Sequence, residues 1–214
     1  MNVKLVTQDY KTRVGQDNET LWEVGTTVKL PPSEKLLKLC TKTVLHYYQH
    51  PFLAVLMNRR HANIPNYRML QVKVNSSKNK RITDGLKSGC TSLSVIKEIT
   101  IPQYTLTQKV AFAILCSLCS NNSEAYTTWA TSWLNGTDRS AKSAASATYA
   151  ASATYAASAT YAASATYAAY AASAAAYAYA DAYTAAYADA YAYAAADAYA
   201  INFLALVDKA LKIA

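Results

Sequence analysis

Val3 and Leu5 alternate with Lys4 and Val6 at the start of the chain, a period of two that predicts a short strand. A polar stretch from Thr7 to Asn18 follows, and Leu21 to Leu30 (LWEVGTTVKL) predicts two short strand pieces pivoting at Gly25. Pro31-Pro32-Ser33 stops regular structure. In HPFLAVLMN, Pro51 suits the first helical position, where its missing N–H costs nothing, and Phe52 to Met57 are apolar. The chain is expected to turn at Asn63-Ile64-Pro65-Asn66. Leu70, Val72 and Val74 then alternate with Gln71 and Lys73 as a half-buried strand does. Asn75 to Arg81 reads as a polar loop, Asp84-Gly85 as a turn, and Leu93 to Ile101 as a strand closed by Pro102.

Two helices are expected next. Thr107 is placed to cap one from Gln108 to about Cys119, with Val110, Ala111, Ile114, Leu115 and Leu118 on its buried side. Ser123 is placed to cap a second, in which Tyr126, Trp129, Ala130, Trp133 and Leu134 recur at helical spacing before Gly136 ends it. From Ser146 the pattern changes to the hexad SATYAA, led by Ser146, Ser152, Ser158 and Ser164, with Tyr149, Tyr155, Tyr161 and Tyr167 in register. Alanine favours a helix, in which six residues advance the chain by about 600° and successive tyrosines fall on stripes about 120° apart. A β-solenoid is the alternative for this tract, without the branched aliphatic and glycine residues such coils use. Ile201 to Ile213 returns to an amphipathic pattern, with Leu204, Val207 and Leu211 on one stripe.

These patterns predict an α+β N-terminal domain at 1–122, a tryptophan-rich connecting helix at 123–142, a helical Ala/Tyr repeat tract at 143–200 and a C-terminal helix at 201–214. Charge divides the chain in the same place. Residues 1–142 hold 19 of the 21 Lys and Arg but 9 of the 13 Asp and Glu, so the front carries a net charge of about +10 and the remainder about −2. A basic front attracts nucleotides, nucleic acid or acidic partners without selecting among them. The opening MNVKLVTQDYKTR has no apolar signal core, and the run Val110 to Cys119 is too short to span a bilayer. A cytoplasmic location with no membrane association is therefore expected, with Cys40, Cys90, Cys116 and Cys119 reduced.

Candidate chemistry is sparse. Cys116 and Cys119 form a CxxC that Cys40 and Cys90 would complete as a four-thiolate zinc set, but an apolar helix without glycine favours buried free cysteines, so neither metal nor cofactor is expected. His46 and His50 flank Tyr47-Tyr48-Gln49, and His61 follows the Pro51 helix. No partner nucleophile or carboxylate stands at a telling spacing, so the histidines are expected to bond turn backbone. Phosphate loops, GxGxxG, HExxH and nucleophile-elbow motifs are absent. The remaining signal is basic: Arg59-Arg60 after the helix, and Lys78, Lys80 and Arg81 on the polar loop, flanked by Lys73 and Lys87. With Tyr47, Tyr48, His46, His50 and His61 they make a candidate ligand surface, suited to nucleotide phosphates with a ring on tyrosine, or to single-stranded nucleic acid.

The runs LWEVGTTVKL, LHYYQHPFLAVLMNRRHANI, DGLKSGCTSLSVIKEITIP, QKVAFAILC and WLNGTDRS resemble an uncharacterised family of tailed-phage and prophage proteins whose members end in Ala/Tyr-rich tracts. The resemblance covers residues 18–142 in detail and implies a phage-related origin and an interaction-type role. A second likeness runs through His46-Tyr47-Tyr48, the Pro51 helix and the strand at Leu70 to Val74. It is similar in shape to part of the ADP-ribosyltransferase core and implies a segment that helps hold a dinucleotide, with Glu98 as the candidate glutamate.

Three readings follow. The first is a non-enzymatic phage-type binding protein that sequesters a nucleotide signal or masks a host protein. The second is a self-assembling protein whose tract drives homo-oligomer formation. The third is a nucleotide-using enzyme of the ADP-ribosyltransferase shape, resting on His46, Tyr48 and Glu98.

Overall fold

The computed structural model describes residues 1–32, 36–119, 124–140, 142–147 and 201–214, and the Arg60 side chain is not among the side chains described. Ser123 and the repeat tract from 148 to 200 lie outside these residues. The described chain is mixed α/β. It divides into two compact units, Met1–Gln103 and Tyr104–Ala214.

The first unit is built on two antiparallel sheets. One has the order β1 (Val3–Val6), β6 (Arg68–Val74), β9 (Ser92–Ile99), β4 (Thr27–Lys29). The other has the order β5 (Leu45–Tyr47), β8 (Ser88–Cys90), β7 (Arg81–Thr83). A short hairpin of β2 (Lys11–Thr12) and β3 (Thr20–Leu21) stands beside them. The sheets are tied where Val3 and Tyr48 exchange backbone hydrogen bonds of 2.8 Å each. Leu70, Val72, Leu93 and Val95 meet Val6, Trp22, Leu45, Tyr47 and Cys90 in one apolar cluster. The register of β6 against β9 slips at Gln71/Val72, which leaves Ile96 as the extra, outward residue, 46% exposed.

Helix α1 (Pro51–His61) starts where Pro51 predicts, and the His50 imidazole accepts a hydrogen bond from the Phe52 N–H at 3.1 Å. It packs against β1. The alternation in β1 therefore does not mean one wet face, because all four of its residues, Lys4 included, are buried.

Gly89 sits in the central strand of the smaller sheet. A Cβ there would lie 2.9 Å from Cβ and 2.9 Å from Cγ2 of Val44, and 3.2 Å from the Ile82 methyl. The Val44 Cβ moves only with its backbone. Gly89→Ala is therefore expected to cost about 1–3 kcal/mol, seen as a lower urea midpoint. An unchanged midpoint would mean that Gly89 and Val44 are not so close.

The second unit is helical. Helix α2 (Leu106–Leu118) starts two residues earlier than Thr107 suggested: Thr105 is its N-cap, in a reciprocal capping box with Gln108. Its buried surface is also wider than the predicted stripe. Phe112, Ala113, Cys116 and Ser117 are buried with Val110, Ala111 and Ile114, whereas Leu115 and Leu118 are only half-buried. The reason is that α2 packs against two helices, α3 (Glu124–Leu134) and α5 (Phe203–Ala210). This packing also places the unit boundary at 103/104, ahead of the boundary at 122 that the sequence suggested. Residues 142–147 form a further helical stretch, α4. Gly136 closes α3 with φ 75° and an N–H bonded to the Trp133 carbonyl at 3.1 Å.

In α5 the buried residues are Phe203, Val207 and Ala210 rather than the Leu204, Val207 and Leu211 stripe. The Asn202 cap fixes where the helix begins, and the Phe203 ring meets Phe112 at 6.4 Å between centroids. Among the described residues no helix is long and apolar enough to cross a membrane.

Candidate functional site

The first unit holds a cavity of about 730 Å³. Its wall is assembled from four places in the chain: β1, the β2–β3 hairpin with its connecting loop, the segment from Cys40 to Tyr48, and the turn that follows α1. Lys87, just before β8, completes it. The turn after α1 is pinned by one side chain. Asn58 donates to the Ile64 carbonyl at 2.9 Å and accepts from the Ile64 N–H at 3.1 Å.

Four basic side chains line this cavity: Lys4, Arg13, Lys42 and Lys87. Among the described residues that line the cavity, Asp17 is the one carboxylate, paired with Lys42 at 3.5 Å where both side chains are largely exposed. Such an exposed pair holds little energy and is easily exchanged for another anion. Lys4 is the reverse case. It is 6% exposed, donates to the His46 carbonyl at 2.8 Å, and sets its ammonium 4.1 Å above the Trp22 ring. Burial, and after it the nearby charge of Arg13, pushes its pKa down to about 7. Arg13 donates to the carbonyls of Thr41 at 2.8 Å and Val44 at 3.1 Å, so its guanidinium braces the loop that forms the opposite wall.

His46 is held neutral. Its Nε2 accepts from the Cys40 N–H at 3.0 Å, which requires the proton on Nδ1. Burial is the largest influence, followed by the charges of Lys4, Lys87, Arg13 and His61, and together they lower its pKa to about 3. Tyr48 and His61 stack with ring planes 13° apart, and the Tyr48 hydroxyl lies 3.3 Å from His61 Nδ1.

Backbone strain gathers here as well. Arg13, Cys40 and Asn63 all have φ in the left-handed region, at 57°, 61° and 48°. Asparagine adopts that conformation readily, but arginine and cysteine do so rarely. Strain of this kind persists only where the surrounding structure enforces it.

Of the ten residues the sequence singled out, His46, Tyr48 and His61 line the cavity. Tyr47, one residue along β5, faces the opposite way into the apolar cluster. His50 is used as the cap of α1. Arg59 does not line the cavity, and the Arg60 side chain is outside those described. Lys78 and Lys80 form a short 3-10 turn away from the lining, and the Arg81 Nε donates to the Ser76 carbonyl at 2.7 Å. Of the basic loop and its flanks, only Lys87 lines the cavity with His46, Tyr48 and His61. Glu98 is also outside the lining: Arg68 pairs with it at 3.0 Å and the Tyr10 hydroxyl donates to it at 2.6 Å.

Lys4, Arg13 and Lys42 were not legible as site residues. Lys4 sits in a short strand pattern with no site motif, and the other two stand in polar loops with no motif. Cys40, noted in the sequence as a possible metal thiolate, and Lys87, noted as a flank of the basic loop, do enter the cavity. Cys116 is buried and Cys119 exposed, and among the described residues no three His, Cys, Asp or Glu side chains gather as a metal site would require. No protein-family model, curated protein or solved structure matches the chain.

Proposed function

We propose that the unit Met1–Gln103 is a non-catalytic binding module for a small phosphorylated molecule, held in the cationic cavity. The observation that carries this reading is the convergence of Lys4, Arg13, Lys42 and Lys87 on a wall with one exposed carboxylate. Cations brought together at such cost in repulsion and desolvation are best accounted for by an anion that neutralises them. A cavity, rather than an extended groove, favours a compact ligand over a nucleic-acid strand. The position of Glu98, engaged by Arg68 and Tyr10, favours binding over transfer chemistry. Nucleotides are the class to try first, and the phage-type resemblance gives the reading a setting: capture of a host nucleotide signal.

The rings of Trp22 and Tyr48 are 1% and 5% exposed, so a base would not stack on them, and recognition rests on the phosphate. Calorimetric titration with inorganic phosphate, nucleoside mono- and diphosphates and the parent nucleosides tests this. Phosphorylated compounds are expected to bind, with an affinity that falls as salt rises, and nucleosides are not. Lys42→Ala removes an exposed cation without touching the core. It is expected to weaken binding by about 1.5–3 kcal/mol, roughly ten-fold or more. If no phosphorylated compound binds or raises the melting temperature, the reading is wrong.

A further inference from the structure

Lys87 is an unusual lysine. Its backbone is fixed by the turn before β8: the Asp84 carboxylate accepts from the Leu86 N–H at 3.0 Å and the Lys87 N–H at 2.8 Å, and the Thr83 hydroxyl donates to the Lys87 carbonyl at 3.0 Å. The residue is 5% exposed, and none of the ion pairs among the described residues includes it. Its ammonium instead points at the sulfur of Cys40, with Nζ 2.8 Å from Sγ.

Cys40 is exposed and lines the cavity, and its loop is held as firmly. The Cys40 N–H donates to His46 Nε2 at 3.0 Å, the Lys38 N–H to the Thr43 hydroxyl at 3.2 Å, and the Thr41 hydroxyl to the Lys38 carbonyl at 2.7 Å. The left-handed φ of 61° at Cys40 is part of the conformation that brings the sulfur to the nitrogen. A nitrogen already inside the near-attack distance of about 3–3.5 Å needs little further motion to react with an activated sulfur.

We propose that Cys40 and Lys87 form a reversible covalent sulfur–nitrogen bridge on exposure to peroxide, which makes this pair a modification site. In the first step the Cys40 sulfur attacks a peroxide oxygen, the O–O bond breaks, and the thiol becomes a sulfenic acid as one water leaves. In the second step Lys87 Nζ first gives one proton to solvent, and the free amine then attacks that sulfur as the S–O bond breaks. The departing hydroxyl takes one proton from the nitrogen and leaves as water. The sulfur is oxidised by two electrons and the peroxide is reduced to two waters. Two equivalents of an added thiol reverse the bridge and leave as their own disulfide. Bridging removes the charge of Lys87 from the cavity wall.

The test treats the full chain with hydrogen peroxide and follows it by intact mass and by a tryptic map prepared without reductant. The expected product is lighter than the reduced protein by two hydrogens, joins the Cys40 peptide to the Lys87 peptide, and resists cleavage after Lys87. Dithiothreitol restores both mass and cleavage. Lys87→Arg is expected to lose the linked peptide and to accumulate oxygen on Cys40 instead. The proposal is overturned if wild-type Cys40 collects only oxygen atoms while trypsin still cuts after Lys87. It is equally overturned if the two-hydrogen loss persists in Lys87→Arg, which would identify a disulfide.

Discussion

Trp22→Ala is expected to destabilise the first unit by about 3–5 kcal/mol, the cost of deleting a fully buried aromatic side chain. Trp22 is 1% exposed and belongs to the apolar cluster with Val6, Leu70 and Val72. Its Nε1–H donates to the Thr12 hydroxyl at 2.9 Å, a bond across the β2–β3 hairpin. Its ring also faces the Lys4 ammonium, and a desolvated contact of that kind contributes on the order of 2 kcal/mol. Trp22→Phe separates these roles, because it keeps an aromatic face under Lys4 and loses the bond to Thr12. It is expected to cost roughly 1–2 kcal/mol, about the worth of one hydrogen bond plus some lost packing. Urea unfolding of the three proteins checks the order. Equal losses for the two variants would mean that neither the ring face nor the packing around it matters as described.

Acid is expected to destabilise the protein through His46, and His46→Gln is expected to flatten that response. The folded-state pKa of about 3 lies below the ordinary value of 6.5. Between these values the unfolded chain binds a proton that the folded chain does not. The stability His46 contributes is therefore present above pH 6.5 and is lost progressively as pH falls towards 3. The slope of the loss is about 1.4 kcal/mol per pH unit, and the whole effect is on the order of 3–5 kcal/mol. Glutamine keeps an acceptor near the position of Nε2 for the Cys40 N–H but does not titrate. Carboxylates such as Glu98 and Glu19, whose hydrogen-bond and charge partners hold their pKa values down, add acid sensitivity to both proteins. The difference between wild type and His46→Gln isolates the histidine. Parallel stability curves from pH 7 to pH 4 would show that His46 is not held neutral by the fold.

Lys4 acts in the same direction at higher pH. Its folded-state pKa of about 7 against an ordinary 10.5 means its contribution is complete only above 10.5 and is lost as pH falls through 7. A neighbouring anion relieves such a depression, so if the cavity takes an anion as proposed, its binding above pH 7 is expected to carry a proton to Lys4.

Local chemistry made much of the secondary structure legible from the chain alone. Pro51 marked the start of α1 because proline's fixed φ and missing N–H suit a first turn. Gly136 marked the end of α3 because its φ of 75° is open chiefly to glycine. The strands at Arg68–Val74 and Ser92–Ile99 followed from alternation and branched residues. The divided charge of the chain, with its basic front, is likewise a property of sequence.

Which residues face one another was decided by tertiary structure. The alternation in β1 predicted a strand but not the burial of Lys4, which cover on both faces of the strand placed beside Trp22. The buried sides of α2 and α5 moved from their predicted stripes because each helix answers to particular neighbours rather than to a general interior. Neighbours in sequence were parted by the pleat, so Tyr47 faces the apolar cluster while His46 and Tyr48 line the cavity. Lys4, Arg13, Lys42 and Lys87 carry no common motif, since the loops that join them set no spacing between them. Periodicity records how each segment meets solvent or core, and only the packing of segments against one another places four distant cations around a single cavity.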